Sequence, residues 1–308
     1  METAVHIFAG FLDSGKTTAL QGTLLRKEDV AKRSVVICTE EGEEEYDIDA
    51  LKDRGTSLVT IEEEEELTED FLEEIKKVHN PEVVYIEFNG MWDLKAFVRK
   101  DLPEGWYLAN VFSLVDANTY DMYLMNMRQT IMNPLSVSDV ILFNRCGESF
   151  KKSDVRRSLK ILNNLAEVYF TKPDGSIDFA NEEFSVPEKD GILDVTDKFF
   201  CPWFIDCIED TDKYYGKTVR FTALITGGNG LGSNQFYAGR YAAICCAEDA
   251  QYIGFVAKYD GEIPKNGDWV ILEARIAKGQ RSDNKLVILL VVNKLTKIEA
   301  PEDRFLYF

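Results

Sequence analysis

Residues 10–17 read Gly-Phe-Leu-Asp-Ser-Gly-Lys-Thr, and this stretch decides the fold of the first half of the 308-residue chain. It satisfies the pattern G-x-x-x-x-G-K-[ST], in which backbone N–H groups and a helix N-terminus surround a phosphate. Residues 4–9 precede it as an apolar strand, and residues 16–27 follow it as a helix. The sequence therefore predicts a phosphate-binding loop for a nucleoside triphosphate with Mg²⁺.

The residues of this loop have separate expected roles. Lys16 reaches the β- and γ-phosphates, and the hydroxyl of Thr17 ligates Mg²⁺. The other nucleotide-binding residues that we predict in this loop are Gly10, Asp13, Ser14, Gly15 and Thr18.

A second acidic position follows a later strand. Glu87 closes the apolar run 83–86, where a carboxylate can hold a magnesium-bound water or polarise the attacking water. Gly90 would let the backbone approach the γ-phosphate. A strand-end glutamate that faces solvent is the alternative interpretation.

Base recognition is left open by the sequence. Asn144 and Arg145 follow the strand 139–143, where P-loop GTPases carry Asn-Lys-x-Asp, but Gly147 stands at the position of the aspartate. That aspartate accepts hydrogen bonds from guanine, so its loss lowers guanine selectivity unless Glu148 substitutes. Both GTP and ATP therefore remain candidate ligands.

Strands and helices alternate over the first two hundred residues, whereas later residues form short β-branched and aromatic runs between glycine-rich turns. The first pattern is typical of an α/β fold with a mainly parallel sheet, and the second of a small all-β barrel. We predict an α/β P-loop NTPase domain over residues 1–180, a linker over 181–197 and a small all-β, OB-like barrel over 198–308.

Charge and hydropathy exclude some functions. The net charge is −19, and residues 201–308 hold 13 Lys/Arg against 14 Asp/Glu, so nearly all of the excess lies in residues 1–200. Such a surface repels phosphate backbones, which argues against nucleic acid as a partner. The longest apolar run, residues 286–292, is too short for a membrane span, and no signal peptide is evident. We expect a cytoplasmic protein.

Residues 4–172 resemble the CobW-type P-loop GTPases, a metallochaperone-like group. Residues 10–18 are similar to the family's P-loop, residues 39–43 to its Asn-Glu-Phe-Gly-Glu switch segment, and residues 86–90 to its second acidic motif. The resemblance implies that Glu40 is a magnesium-site residue beside Thr17 and Glu87. It also implies a metal or cofactor as cargo, such as Zn²⁺, and a client metalloprotein.

One departure from that family concerns its metal-binding Cys-x-Cys-Cys. The corresponding segment here, residues 60–66, reads Thr-Ile-Glu-Glu-Glu-Glu-Glu and has no cysteine. Thiolate coordination of zinc or cobalt at that position is therefore excluded. Residues 40–74 hold 17 acidic and 2 basic side chains, which makes them a solvated face or a docking surface for a basic partner.

Residues 198–308 resemble the C-terminal domain of a permease-associated family of unknown function. The resemblance is carried by residues 236–251, by Gly-Asp-Trp-Val at 267–270 and by the ending 298–301. It implies a permease as a second kind of partner. Four cysteines of this half are candidate thiolate ligands, with buried packing as the alternative: Cys201, Cys207, Cys245 and Cys246.

Three functions agree with these patterns. The first is a Mg²⁺-dependent NTPase that hands on a metal or cofactor or regulates a partner, with a partner or a second copy of the chain completing its site. The second is a non-catalytic nucleotide sensor that reports to a permease or a similar partner. The third is a small-molecule kinase, against which the switch segment and the lack of a recognisable lid argue.

Overall fold

The structure is a computed structural model that describes residues 2–26, 33–40, 42, 44–178, 184–227, 231–243, 250–280 and 286–307. The chain divides into two compact units, residues 1–152 with 162–180 and residues 153–161 with 181–308. Each unit has hydrophobic core clusters of its own, so each is described by itself.

The first unit is built on a sheet of buried strands. Its described strands are β1 (Thr3–Gly10), β2 (Ser34–Cys38), β3 (Thr56–Thr60), β4 (Val83–Asn89), β5 (Trp106–Asp116), β6 (Val140–Asn144) and β7 (Glu167–Phe170). They lie in the order β3-β2-β4-β1-β5-β6-β7 with every pairing parallel. The expected parallel α/β fold is confirmed, although the sequence did not predict β3 and β7.

Helices connect these strands, as parallel pairing requires. They are α1 (Lys16–Arg26), α2 (Ile48–Asp53), α3 (Glu69–His79), α4 (Leu94–Phe97), α5 (Ala117–Asn126), α6 (Arg128–Leu135) and α7 (Lys152–Leu162). Residues 153–161 of α7 belong to the second unit. Helix α3 begins at Glu69 because the hydroxyl of Thr68 accepts the N–H of Phe71 at 3.2 Å. It ends where Asn80 adopts φ 43° ahead of Pro81.

The register of the parallel sheet brings the carboxyl ends of its central strands to one edge. Residues paired at these ends are Gly10 with Asn89, Cys38 with Glu87, and Asp116 with Asn144. Ligands of open α/β sheets bind outside the carboxyl ends of the strands. The fold therefore places the predicted loop and the predicted acid at the same edge.

The second unit contains the expected β-barrel. Its described strands are β8 (Glu188–Lys189), β9 (Ile192–Val195), β10 (Thr218–Thr226), β11 (Gln235–Ala243), β12 (Gln251–Lys258), β13 (Trp269–Gln280), β14 (Leu286–Ile298) and β15 (Phe305–Tyr307). Because β10 pairs with both β11 and β13, the strands β10, β11, β12, β14 and β13 close on themselves. Alternate residues of β10 are buried inside.

Two features of this unit differ from the sequence-based prediction. The segment 181–197, predicted as a linker, contains β8 and β9, and β9 pairs with β10 in parallel. Leu193 and Val195 alternate inward, so residues 188–195 of this segment belong to the second sheet. A helix, α8 (Asp197–Glu209), follows it, because Phe200, Trp203 and Cys207 form a buried face at helical spacing.

Candidate nucleotide site

The loop between β1 and α1 has the backbone of an anion cradle. Gly10, Asp13 and Gly15 all have positive φ, at 146°, 58° and 92°. Left-handed positions within such a turn aim backbone N–H groups into a concavity that binds anions. The following helix α1 adds the positive end of its dipole. The loop is therefore shaped for a phosphate group.

A pocket of about 130 Å³ opens beside this loop. It brings together many residues that the sequence predicted from separate segments, namely Asp13, Gly15, Lys16, Thr17, Thr18, Glu40, Glu87 and Arg145. The structure adds Leu12, Gly42 and Glu44 to the lining.

Lys16 lines the pocket and is buried, with 3% of its surface exposed. Its ammonium group donates to the carbonyl oxygens of Gly10 at 2.8 Å and Phe11 at 2.9 Å. It also forms an ion pair with the carboxylate of Glu40. Burial raises the pKa of Glu40, and the adjacent Lys16 ammonium opposes that rise. The Lys16 ammonium group is therefore held by the loop carbonyl oxygens and paired with the Glu40 carboxylate.

Glu87 accepts hydrogen bonds at both carboxylate oxygens. The Thr17 hydroxyl donates to Oε1 at 2.8 Å, and the Tyr46 hydroxyl donates to Oε2. Glu87 is 2% exposed, so the interpretation of a solvent-facing glutamate is wrong. Burial, and next the Glu87 charge, raise the pKa of Tyr46, so its phenol stays protonated. A buried carboxylate thus contacts the predicted magnesium-binding hydroxyl.

The backbone around Glu87 is fixed by its neighbour Thr39. The N–H and the hydroxyl of Thr39 both donate to the Glu87 carbonyl oxygen, at 3.2 and 2.8 Å, and the Asn89 N–H donates to the Thr39 hydroxyl at 2.7 Å. Beside them, Cys38 donates its thiol to the Glu40 carbonyl at 3.1 Å. Burial raises the pKa of Cys38 to about 11, so it remains a thiol.

Asn144 and Arg145 both contact the backbone of the phosphate-binding loop. The Asn144 amide donates to the Ser14 carbonyl oxygen at 2.6 Å. The Arg145 guanidinium donates to the Asp13 carbonyl oxygen at 2.6 Å and pairs with Asp116 at 2.8 Å. The sequence assigned both residues to nucleotide binding, and their contacts here stabilise the loop backbone.

Gly90 packs against the phosphate-binding loop itself. A Cβ at Gly90 would lie within 3.0 Å of the Gly10 carbonyl oxygen and of the Phe11 Cα. Gly10, Ser14 and Gly90 also line an apolar cavity next to the pocket, where the rings of Phe11 and Tyr123 stack with centroids 4.1 Å apart. The need for glycine at position 90 is therefore set by contact with the loop.

The oxygen atoms of three pocket side chains are suitable ligands for a hard cation. Thr17, Glu40 and Glu87 present hydroxyl and carboxylate oxygens, the ligands that Mg²⁺ prefers. Over the part of the chain that the structure describes, no cluster of three or more His, Cys, Asp or Glu is arranged to hold a metal ion. The oxygen set thus fits Mg²⁺, while the described residues offer no soft-ligand cage for Zn²⁺.

Cys201 and Cys207 lie in the core of the second unit. Both are on α8 and at most 1% exposed, packed among aromatic and aliphatic side chains. Burial raises the pKa of Cys201 to about 12 and that of Cys207 as well, which favours the thiol form. These positions suit buried packing. Cys245 and Cys246 lie outside the described residues.

Family models match both halves of the chain. The model of the CobW/HypB/UreG nucleotide-binding domain matches residues 4–170, and that of the DUF1980 C-terminal domain matches residues 174–308. The chain belongs to the CobW/HypB/UreG family of P-loop GTPase-type proteins.

Individual relatives are distant. UPF0703 protein YcgQ of Bacillus subtilis (strain 168) is 20% identical over 198 residues, which are 61% of this chain and 67% of that protein. Zn(II)-bound YjiA GTPase from E. coli is 19% identical, with a TM-score of 0.44 over 94% of this chain and 89% of that one. Hydrogenase maturation factor HypB from Archaeoglobus fulgidus is 17% identical, with a TM-score of 0.42 over 56% and 82%.

One residue that contacts Glu87 through its side chain, Tyr46, is not predicted by the sequence patterns. Tyr46 lies six positions after Glu40 in the connection between β2 and α2, and its hydroxyl reaches Glu87. Its only signal in the sequence is an aromatic side chain within an acidic segment. Such a pattern gives no indication of which carboxylate the phenol will meet.

Proposed function

We propose that the chain is a Mg²⁺-dependent P-loop nucleoside triphosphatase with GTP as its preferred substrate. Its nucleotide state would control the delivery of a metal or cofactor, or the activity of a partner protein. The observation that carries this proposal is the meeting of Lys16, Thr17 and Glu87 at one end of a left-handed glycine loop.

Each of these residues has a chemical role in the proposed reaction. Water attacks the γ-phosphorus, the bond to the β-phosphate oxygen breaks, and the products are the nucleoside diphosphate and inorganic phosphate. Lys16 and the loop N–H groups stabilise the charge on the phosphoryl oxygens. Thr17 and Glu87 would hold Mg²⁺, directly or through its water, and the ion supplies charge neutralisation when bound. Glu87 can also accept a hydrogen bond from the attacking water.

The charges of the pocket support a requirement for a divalent cation. Its described lining contains four carboxylates, from Asp13, Glu40, Glu44 and Glu87, against the two cations of Lys16 and Arg145. A free triphosphate is repelled by such a surface, whereas a magnesium complex carries less negative charge. We expect little nucleotide binding in the presence of EDTA.

The preference for GTP is supported by family membership and is weakened by Gly147. Because Gly147 replaces the aspartate, that position offers no carboxylate to accept hydrogen bonds from N1 and the exocyclic amine of guanine. ATP is therefore the competitor that a binding experiment has to include. We infer a modest rather than an absolute preference for GTP.

The same proposal extends to partners and location. A client metalloprotein, a permease or a second copy of the chain are the partners that we propose, with the cytoplasm as the compartment. No described helix has the length and the apolar character that crossing a membrane would require.

Phosphate release tests this proposal directly. We would measure it for the wild type, Lys16→Ala and Thr17→Ala with GTP and with ATP, each in Mg²⁺ and in EDTA. Lys77→Ala is the matched control, because it removes the same charge from an exposed position on α3. The wild type and Lys77→Ala should hydrolyse GTP in Mg²⁺, and Lys16→Ala should lose about a hundredfold or more.

Two other results would point to the rival functions. Nucleotide binding with background hydrolysis in the wild type and Lys16→Ala alike would support a non-catalytic sensor. Consumption of nucleotide with the phosphate recovered on a small molecule would support a kinase. Either result would overturn the proposed hydrolysis.

A further inference from the structure

The carboxylate of Glu87 is held from two directions by segments that border the pocket. Thr17 comes from the start of α1 and binds Oε1, whereas Tyr46 comes from the β2–α2 connection and binds Oε2. A carboxylate with one oxygen fixed keeps its other oxygen in a defined direction. Both contacts are made on a residue that is 2% exposed.

Tyr46 is itself firmly placed. Its ring packs against a buried cluster that includes Phe8, Leu20 and Leu51. The next residue, Asp47, donates its N–H to the Gln21 side chain at 2.7 Å and accepts the Ala50 N–H at 2.9 Å, which joins this point of the chain to α1 and α2. The phenol therefore approaches Glu87 from a segment that is held by packing and hydrogen bonds.

We propose that Tyr46 is a positioning residue that fixes one oxygen of Glu87, so that the other faces Thr17 and any Mg²⁺ that Thr17 holds. This inference rests on the proposed function. When the Thr17 oxygen ligates a metal ion, that ion partly sets the direction of the Thr17 O–H group, so Thr17 by itself does not fix Glu87. Tyr46 donates to the other oxygen of Glu87, so its contact does not depend on the ion.

The competing explanation is that Tyr46 serves only as a packing residue. Tyr46→Phe separates the two explanations, because phenylalanine keeps the ring in the cluster and removes only the hydroxyl. Tyr85→Phe is the matched control: Tyr85 is a buried residue of the same cluster, and the substitution likewise removes one hydroxyl. If Tyr46 positions Glu87, Tyr46→Phe changes the Mg²⁺ midpoint and kcat, whereas Tyr85→Phe leaves both unchanged.

The experiment measures the Mg²⁺ concentration for half-maximal binding of a fluorescent N-methylanthraniloyl GTP, and separately kcat and KM for GTP. In Tyr46→Phe we expect the Mg²⁺ midpoint to rise about fivefold to tenfold and kcat to fall about tenfold, with KM in saturating Mg²⁺ unchanged. Thermal midpoints of Tyr46→Phe and Tyr85→Phe should agree within about 3 °C.

A double-mutant cycle ties the effect to Glu87. In a Glu87→Gln background, Tyr46→Phe should change the Mg²⁺ midpoint by less than about twofold, because the partner that it positions is gone. A full effect in that background, or a Tyr46→Phe variant with the wild-type midpoint and kcat, would overturn the positioning role alone. A wild type without Mg²⁺-dependent nucleotide binding would overturn the proposed function and the role of Tyr46 with it.

Discussion

The carboxylate of Glu40 forms an ion pair with the ammonium group of Lys16 inside the pocket, where their side chains are 11% and 2% exposed. A triphosphate that binds Lys16 must therefore displace an acidic side chain of the protein. If Lys16 binds phosphate as proposed, Glu40 competes with that phosphate for the Lys16 ammonium group.

Removing that competitor should tighten metal-free binding. We expect Glu40→Gln to bind GTP in EDTA about tenfold more tightly than the wild type, a change of about 1.4 kcal/mol. Isothermal titration measures this difference. Glu44→Gln removes the same charge from the pocket lining and is the control; an equal gain there would mean that general charge, and not the ion pair, opposes binding.

The same ion pair predicts a pH dependence. Burial raises the pKa of Glu40, so lowering the pH through that raised value protonates the carboxylate and weakens its hold on Lys16. Metal-free binding by the wild type should tighten relative to Glu40→Gln as the pH falls towards 5. A constant ratio of the two affinities between pH 8 and pH 5 would contradict this link.

Guanine selectivity should be recoverable at Gly147. A Cβ built on Gly147 meets no described atom within 4 Å, and its φ lies outside the left-handed region, so Gly147→Asp fits the backbone. We expect the ratio of the ATP and GTP dissociation constants to rise at least tenfold. Gly147→Asn has the same size without the charge. A similar rise in that variant would argue against carboxylate recognition of guanine.

Gly90→Ala should damage the phosphate-binding loop. Its methyl group would lie within 3.0 Å of the Gly10 carbonyl oxygen, so the loop must shift, at a cost of about 1–3 kcal/mol. We expect GTP affinity to fall at least tenfold in calorimetric titrations. Gly22→Ala on α1 is the control, because a Cβ there meets no described atom within 4 Å. Wild-type affinity in Gly90→Ala would contradict the close packing.

Asp206 should be a main source of stability in the second unit. Its carboxylate accepts from Arg157, Lys213 and Tyr214 at 2.5–2.6 Å. Burial alone would raise its pKa, but these hydrogen bonds outweigh that effect and lower the pKa below the ordinary 3.8. We expect Asp206→Asn to lose about 3–5 kcal/mol of unfolding free energy at pH 7.

The sign of that pKa shift sets the pH range of the effect. A lowered folded pKa gives stability that is present above 3.8 and is lost as the pH falls through the lowered value. Denaturant titrations of the wild type and Asp206→Asn should therefore converge in acid. Glu209→Gln, which breaks an exposed pair with Lys160, should cost under about 1 kcal/mol. A loss as large as that of Asp206→Asn would show that burial does not decide the effect.

Local patterns predicted the parallel sheet, the phosphate-binding loop and the barrel. The loop was predictable because its glycines, Lys16 and Thr17 are consecutive, and Glu87 because strand ends in a parallel sheet converge. The atoms that each of these side chains contacts were not predictable. Whether Asn144 meets a base or the Ser14 carbonyl depends on a contact between residues 130 positions apart.

Contacts between distant residues also explain why the role of Tyr46 and the strands within 181–197 were not predicted. An aromatic side chain in an acidic loop gives no indication of the strand-end acid that it will meet. Polar residues with Pro187 and Gly191 resemble a linker, whereas Leu193 and Val195 become strand residues only because β10 lies beside them. Tertiary pairing overrides local preference at such positions.

Calorimetric titration of GTP with Mg²⁺ and of ATP with Mg²⁺ into the wild type and Lys16→Ala tests the central claim most directly. The proposed site predicts saturable binding of GTP by the wild type, a weaker affinity for ATP, and a loss of at least a hundredfold in Lys16→Ala. Binding of neither nucleotide by the wild type, or equal affinities in the wild type and Lys16→Ala, would contradict the assignment of this pocket as a nucleotide site.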